Sequence, residues 1–207
     1  MINRYIELFF NKETGKERYG FIGKEAESFA QNHSVDECVV SAMEFYKSDL
    51  FYIQMFAVRI MGAVADRNEK VFSFLKNTVS THPAWQVQEF LAMAFDDYCK
   101  HIGYENALKT IEEWLICDNP NNRRAVTEGL RIWTKRPYFE KNPQEAIRIL
   151  SKCKTDESEY VRKSVGNALK DISKQFPELI QKELKTWNLS VKEICQVYKL
   201  ASQKLEK

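Results

Sequence analysis

The sequence predicts an all-α fold: a HEAT-like α-solenoid of antiparallel helix pairs, curved, with a concave basic groove. Three observations carry that expectation. Helical periodicity runs almost from end to end, and no strand alternation competes with it. The 207 residues include only seven glycines and five prolines, too few turn formers for an all-β chain. Four helical segments can also be laid under one another in register.

The periodicity places helices at about 3–11, 24–33, 35–47, 50–66, 69–80, 84–100, 104–116, 121–134, 143–153, 158–174, 177–187 and 190–205. Pro83, Pro120, Pro143 and Pro177 fall at helix starts, where a missing N–H costs nothing. The aligned segments are "FYIQMFAVRIM" from Phe51, "WQVQEFLAMAF" from Trp85, "RAVTEGLRIWT" from Arg124 and "KSVGNALKDIS" from Lys163, at offsets of 34, 39 and 39 residues. Column three reads Ile53, Val87, Val126, Val165, and column seven reads Ala57, Leu91, Leu130, Leu169. These columns are four apart, so they form one apolar stripe in every row. A second helix follows each row, and helix pairs repeating every ~40 residues are the mark of a HEAT-like array. The expectation is one domain over 1–207, with capping helices in 1–48, repeats over 50–187 and a C-terminal helix at 190–205.

Columns one, five and eight behave differently. They read Phe51/Met55/Val58, Trp85/Glu89/Ala92, Arg124/Glu128/Arg131 and Lys163/Asn167/Lys170. A packing stripe would look alike from row to row, and this one does not. On a concave surface it would present an aromatic, carboxylates, an amide and cations in one band, bordered by Arg59, Arg123, Lys135, Arg162 and Lys174.

Other chemistry is limited by what the chain lacks. It has no 18-residue apolar run and no secretory leader, so no membrane partner is expected. Five scattered cysteines without a CxxC pair suggest reduced thiols in a cytoplasm, and three distant histidines offer no metal cluster. There is no phosphate-cradling glycine loop, GxSxG or HExxH. No metal or cofactor is expected. Residues 121–207 hold 19 Lys+Arg against 11 Asp+Glu, whereas the first 120 hold 12 against 18. A basic half on a nearly neutral chain suggests a polyanionic partner, although a solvated lysine surface gives the same count.

Individual residues have plainer readings too. Glu89 stands one turn after Trp85, where an aromatic wall would partly desolvate it; otherwise it is a surface carboxylate. Glu128 lies between Arg124 and Arg131 and would also suit a simple intrahelical salt bridge. Arg123 and Arg124 sit at a helix start, against the dipole, and a bound phosphate would resolve that conflict. Asn167 would hydrogen-bond in the groove or be a tolerated polar residue. Trp114, Trp133 and Trp187 read as inter-helix packing.

With these residues in hand, "RRAVTEGLR", followed 25 residues on by "DESEYVRKSVGNALKDISKQFPELI", resembles the AlkC/AlkD superfamily of HEAT-like DNA alkylation-repair glycosylases. The likeness extends more loosely over about 50–187, through "PAWQVQEFLAMAF". It implies a glycosylase of the 3-methyladenine type, excising cationic N3- or N7-alkylated bases from duplex DNA without metal or cofactor. The AlkD-like pattern of a tryptophan followed four later by a catalytic acid falls on Trp85 and Glu89. The second AlkC-like glutamate falls on Glu128, and the AlkD-like groove arginine on Arg124. Two positions depart: Asn167 stands where AlkD-like chains have a tryptophan, and Arg136 where AlkC-like chains have one. These departures bear on base selectivity.

The resulting expectation has Glu89, Glu128 and Trp85 as catalytic. It has Arg123, Arg124, Arg131, Arg162, Lys163, Asn167 and Lys170 as DNA-binding. The protein would act as a cytoplasmic, nucleoid-associated bacterial monomer on double-stranded DNA carrying alkylated bases. The alternatives are a relative that binds damaged or branched DNA without excision, and a protein–protein scaffold.

Overall fold

A computed structural model of the chain describes residues 2–10 and 15–205. Asn11, the last residue of the first expected helix, lies outside them. Among the described residues every regular element is helical. The chain gathers into two compact units, Met1–His101 and Ile102–Lys207.

The first unit is built from α1 (Ile2–Phe10), α2 (Gly15–Asn32), α3 (Val35–Tyr46), α4 (Phe51–Val64), α5 (Glu69–Asn77) and most of α6 (Trp85–Ile102). Ser34 starts α3 with a capping box, its backbone N–H donating to Glu37 Oε2 at 2.8 Å. Asn68 caps α5 by accepting from the Val71 N–H at 3.1 Å. Helix α4 is apolar on nearly every side, and a helix of that composition must be covered all round. Helices α2 and α3 pack on it. Tyr5, Phe9, Phe29 and Phe45 surround Phe56, with ring centroids 4.4, 5.3, 5.9 and 5.5 Å away. Met55 and Val58 are fully buried, so the mixed band expected on columns one, five and eight does not include these two α4 positions. The aromatic load of 1–48 is the reason: it needs a partner surface, and α4 supplies it.

The second unit holds α7 (Leu108–Leu115), α8 (Pro120–Gly129), α9 (Pro137–Lys141), α10 (Pro143–Lys152), α11 (Glu159–Ser173), α12 (Pro177–Leu184) and α13 (Lys192–Ala201). Helix α11 is its hub, with α8, α10, α12 and α13 packed on it. The helix expected over 121–134 is broken. Gly129, a poor helix former, ends α8, and the chain tightens into a 3₁₀ turn at Trp133–Lys135 before Pro137 opens α9. The break lets Trp133 bury completely against Phe139, at 4.7 Å between ring centroids. Trp114 and Trp187 are buried as well, in keeping with their reading as packing residues.

The repeat stripe lies in the core of each unit. Ile53, Val87, Val126, Val165, Ala57, Leu91, Leu130 and Leu169 are each 0% exposed. Burying a branched aliphatic side chain contributes about 1.5–3 kcal/mol, so this stripe is a major part of the favourable side of folding.

A second regularity recurs at the helix starts. Each turn leading into the first helix of a pair leaves carbonyls that no helix can satisfy. In each case a side chain of the helix that follows takes them. Gln54 donates to Tyr46 O at 3.4 Å. The Gln88 amide donates to the carbonyls of Val79, Ser80 and His82 at 3.0, 3.3 and 2.7 Å. Arg123 Nη1 donates to Cys117 O and Asp118 O at 2.7 and 2.9 Å. Arg162 Nη1 donates to Asp156 O and Glu157 O at 2.6 and 2.9 Å. The arginines lie one helical turn before the glutamine column, on the same face. Arg123 also makes a bidentate pair with Asp156, at 2.7 and 2.9 Å, with both side chains under one-tenth exposed. Arg162 Nε donates to Gln196 Oε1 at 2.8 Å, tying α11 to α13.

Two glycines mark close helix approaches. A Cβ on Gly62 would stand 2.6 Å from Ala94 Cα, and one on Gly166 would stand 2.7 Å from Leu200 Cβ and 3.2 Å from Val197 O. Gly62→Ala meets backbone, and overpacking of this kind costs about 1–3 kcal/mol. Thermal melting should show a fall of roughly 2–4 °C per kcal/mol for a chain of this size, and an unchanged midpoint would contradict the close approach. The grips give a sharper contrast. Arg123→Met strands the buried Asp156 carboxylate and should cost about 3–5 kcal/mol. Lys135→Ala, at an exposed position of the same unit, should stay within about 0.5 kcal/mol of the parent. Chemical denaturation of both variants checks this, and equal midpoints would remove the structural role of Arg123.

Candidate nucleic-acid interface

In the first unit the expected site residues stand on the first turns of α6. Gln88 fixes the turn before the helix through its three carbonyl partners. His82 accepts from the Ala84 N–H at 3.1 Å through Nδ1, and burial pushes its imidazole below the usual histidine range, which keeps it neutral and able to accept. Trp85 is the first residue of α6 and is 61% exposed, large for a tryptophan in a packed unit. The Tyr19 ring meets it edge-on at 6.4 Å. Glu89, one turn later, is half-buried. An aromatic face and a carboxylate thus share one surface of a helix whose start is pinned. Arg59, expected at the border of the band, is instead largely shielded and held between Glu27, at 3.0 Å, and Asp97.

In the second unit the remaining expected residues divide into two groups. Arg123 and Arg162, expected among the DNA-binding residues, are both buried, and their guanidinium groups hold turn carbonyls and side chains of the protein. The charge conflict at the start of α8 is met by the Asp156 carboxylate, which holds Arg123 above its ordinary range through that hydrogen bond. The residue after each grip turns elsewhere, since neighbours on a helix point about 100° apart. Arg124 is half-buried and Lys163 exposed. Lys163 pairs with Glu159 at 2.7 Å and lies over the Tyr160 ring at 5.8 Å, itself 73% exposed.

Glu128 is held between α8 and α11. Its Oε1 accepts from Arg131 Nη1 at 3.1 Å and its Oε2 from the buried Ser164 hydroxyl at 2.8 Å. Arg131 lies just past the end of α8 and reaches Glu128 across the turn. Its Nε donates to Asp171 at 3.2 Å, and Lys174 shares that carboxylate at 2.5 Å. Lys170 donates to Asn167 Oδ1 at 2.9 Å and to Gln203 Oε1 at 3.4 Å. The structure thus joins Glu128 and Arg131 to Ser164 and Asp171 of α11, and Asn167 to Lys170 along α11, while Lys163 pairs with Glu159 on its own helix. Ser164 and Asp171 join these residues without having been expected, and Lys174, expected at the border of the band, shares the Asp171 carboxylate. Ser164 in particular carries no sequence signal of its role, because a serine one place after Lys163 reads as an ordinary small core residue. Arg136 donates to Gly129 O at 3.2 Å and helps close the broken helix.

No helix among the described residues is long and apolar enough to cross a membrane. Known proteins share both the fold and the sequence pattern. A crystal structure of AlkD2 from Streptococcus mutans superposes with a TM-score of 0.91, at 45% identity and 98% coverage of both chains. The alkylpurine DNA glycosylase AlkC of Pseudomonas fluorescens, solved bound to DNA containing an abasic site analogue, has the same fold with a TM-score of 0.68. It is 22% identical, over 90% of this chain and 52% of that one. The Bacillus subtilis protein YhaZ is 39% identical over 87 residues, which is 40% of this chain and 24% of YhaZ, so the likeness spans about a quarter of that curated relative. The pattern of the DNA alkylation repair enzymes matches residues 21–193, and the chain belongs to that family.

Proposed function

We propose that this protein is a DNA glycosylase that excises cationic N3- or N7-alkylated bases, of the 3-methyladenine type, from duplex DNA. The observation that carries the reading is the pairing of exposed Trp85 with half-buried Glu89 on the pinned start of α6. An N-alkylated purine is already a cationic leaving group and needs little acid catalysis. Its departure leaves oxocarbenium-like charge on the sugar, as in glycoside hydrolysis. A fixed carboxylate stabilises that charge and orients the incoming water, and the indole face favours a cation lying over it. Glu89 takes this part. Arg124, Arg131, Lys163 and Lys170 hold phosphates, and Asn167 offers its amide to the same backbone. Glu128, bonded at both oxygens, serves to set Arg131 and α11 in place, with its remaining lone pairs open to a water.

A second reading has a specific observation in its favour. Glu128 and Asn167 are both engaged by neighbours within the second unit, which suits a protein that binds damaged or branched DNA without breaking a bond. Release of methylated base from alkylated duplex separates the two. Excision predicts that Glu89→Gln lowers release by about 10²–10³-fold, the usual cost of one preorganised electrostatic group, while duplex affinity holds. Wild-type binding with no release supports the second reading, and full release by Glu89→Gln takes Glu89 out of the mechanism.

A further inference from the structure

Helices α10 and α12 enclose a groove of about 440 Å³ that none of the candidate DNA-binding residues lines. Ile147 and Leu179 give it an apolar floor, and Arg148, Lys152, Lys154 and Lys182 surround that floor with cations. Glu183 is the carboxylate on the same lining, and its Oε1 accepts from Trp187 Nε1 at 2.9 Å. Arg148 and Lys152 converge on Glu112, at 3.0 and 2.9 Å, and Arg148 Nε also donates to Glu145 Oε2 at 3.0 Å, so both of these cations are already matched by carboxylates. Lys154 donates to Ser151 O at 3.1 Å and lies over the Trp187 ring at 5.7 Å. Lys182 has no ion-pair partner among the described residues. The buried Ser151 hydroxyl, next to the floor, has no hydrogen-bond partner.

We propose that this groove docks an acidic, leucine-bearing peptide segment of a partner protein. The floor accepts aliphatic side chains, and Lys154 and Lys182, whose charges no carboxylate among the described residues matches, favour carboxylates over basic or neutral segments. Nucleic acid fits less well. Among the described residues no aromatic side chain lines the groove to stack a base, and Lys154 lies over the nearby Trp187 ring. The groove is also made by the second helices of the pairs, whereas the cations assigned to DNA stand on or just past α8 and α11.

Fluorescence anisotropy with a labelled twelve-residue peptide of alternating Glu-Glu and Leu-Leu steps tests this on the full chain. The wild type should bind it. The double variant Lys154→Glu/Lys182→Glu should bind at least tenfold more weakly with an unchanged melting temperature, and Arg124→Ala should bind as the wild type does. Excess unlabelled duplex DNA should not displace the peptide. The proposal is overturned if the wild type fails to bind at low ionic strength, or if the double variant binds equally. It is also overturned if polyglutamate alone binds as well as the mixed peptide, or if duplex DNA competes the peptide away.

Discussion

The second unit depends on one interaction, a buried arginine holding the carbonyls of the turn that leads into its own helix. A turn between helix pairs exposes C-terminal carbonyls, and leaving such groups buried and unpaired costs about 1–3 kcal/mol each. The planar guanidinium answers several of them at once, because its donors are fixed in a fork. Arg123 adds Asp156 to its two carbonyls, and Arg162 adds Gln196 to its own. The starts of α8 and α11 are thereby fixed, and everything those helices present outward is placed with them. In the first unit Gln54 and Gln88 do the same work without charge. The pairs Arg123-Arg124 and Arg162-Lys163 are thus divided: the first residue serves the chain, and the proposed function gives the second to DNA.

The outward charges are arranged to be exchangeable. Exposed ion pairs such as Lys163–Glu159 contribute little to stability because water screens them, so trading the carboxylate for a phosphate would cost the fold little. Glu128 and Asp171 are different, being mostly shielded and shared between α8, its end and α11. They keep Arg131 oriented and stop the helices from repelling one another. A basic surface built this way is stable alone and still has cations to offer a polyanion.

Much of the fold is legible from spacing, since a repeated 3.6-residue period can be read without knowing partners. The eight residues of columns three and seven are all in the core for that reason. The roles of Arg123 and Arg162 are not legible in the same way. A charged residue at a helix start reads as surface, and the burial of Arg123 depends on Asp156, 33 residues away. The trace was there in the 39-residue register: both arginines align, and each follows a turn bearing an acidic residue. The covering of Met55 and Val58 needed knowledge of what α1–α3 pack against. The break after Gly129 needed the pull of a buried Trp133. For the site, Trp85 and Glu89 could be picked out because their row differs from its neighbours, while Ser164 could not, because nothing local sets it apart.

The division of the basic pairs is tested most directly by the salt dependence of duplex binding. Removing one phosphate-binding cation should reduce the slope of log K against log salt concentration by about one. A ligand-facing second residue predicts that reduction for Arg124→Ala and again for Lys163→Ala, with both proteins folded as the parent is. A slope that stays at the wild-type value in the doubly substituted protein would contradict it.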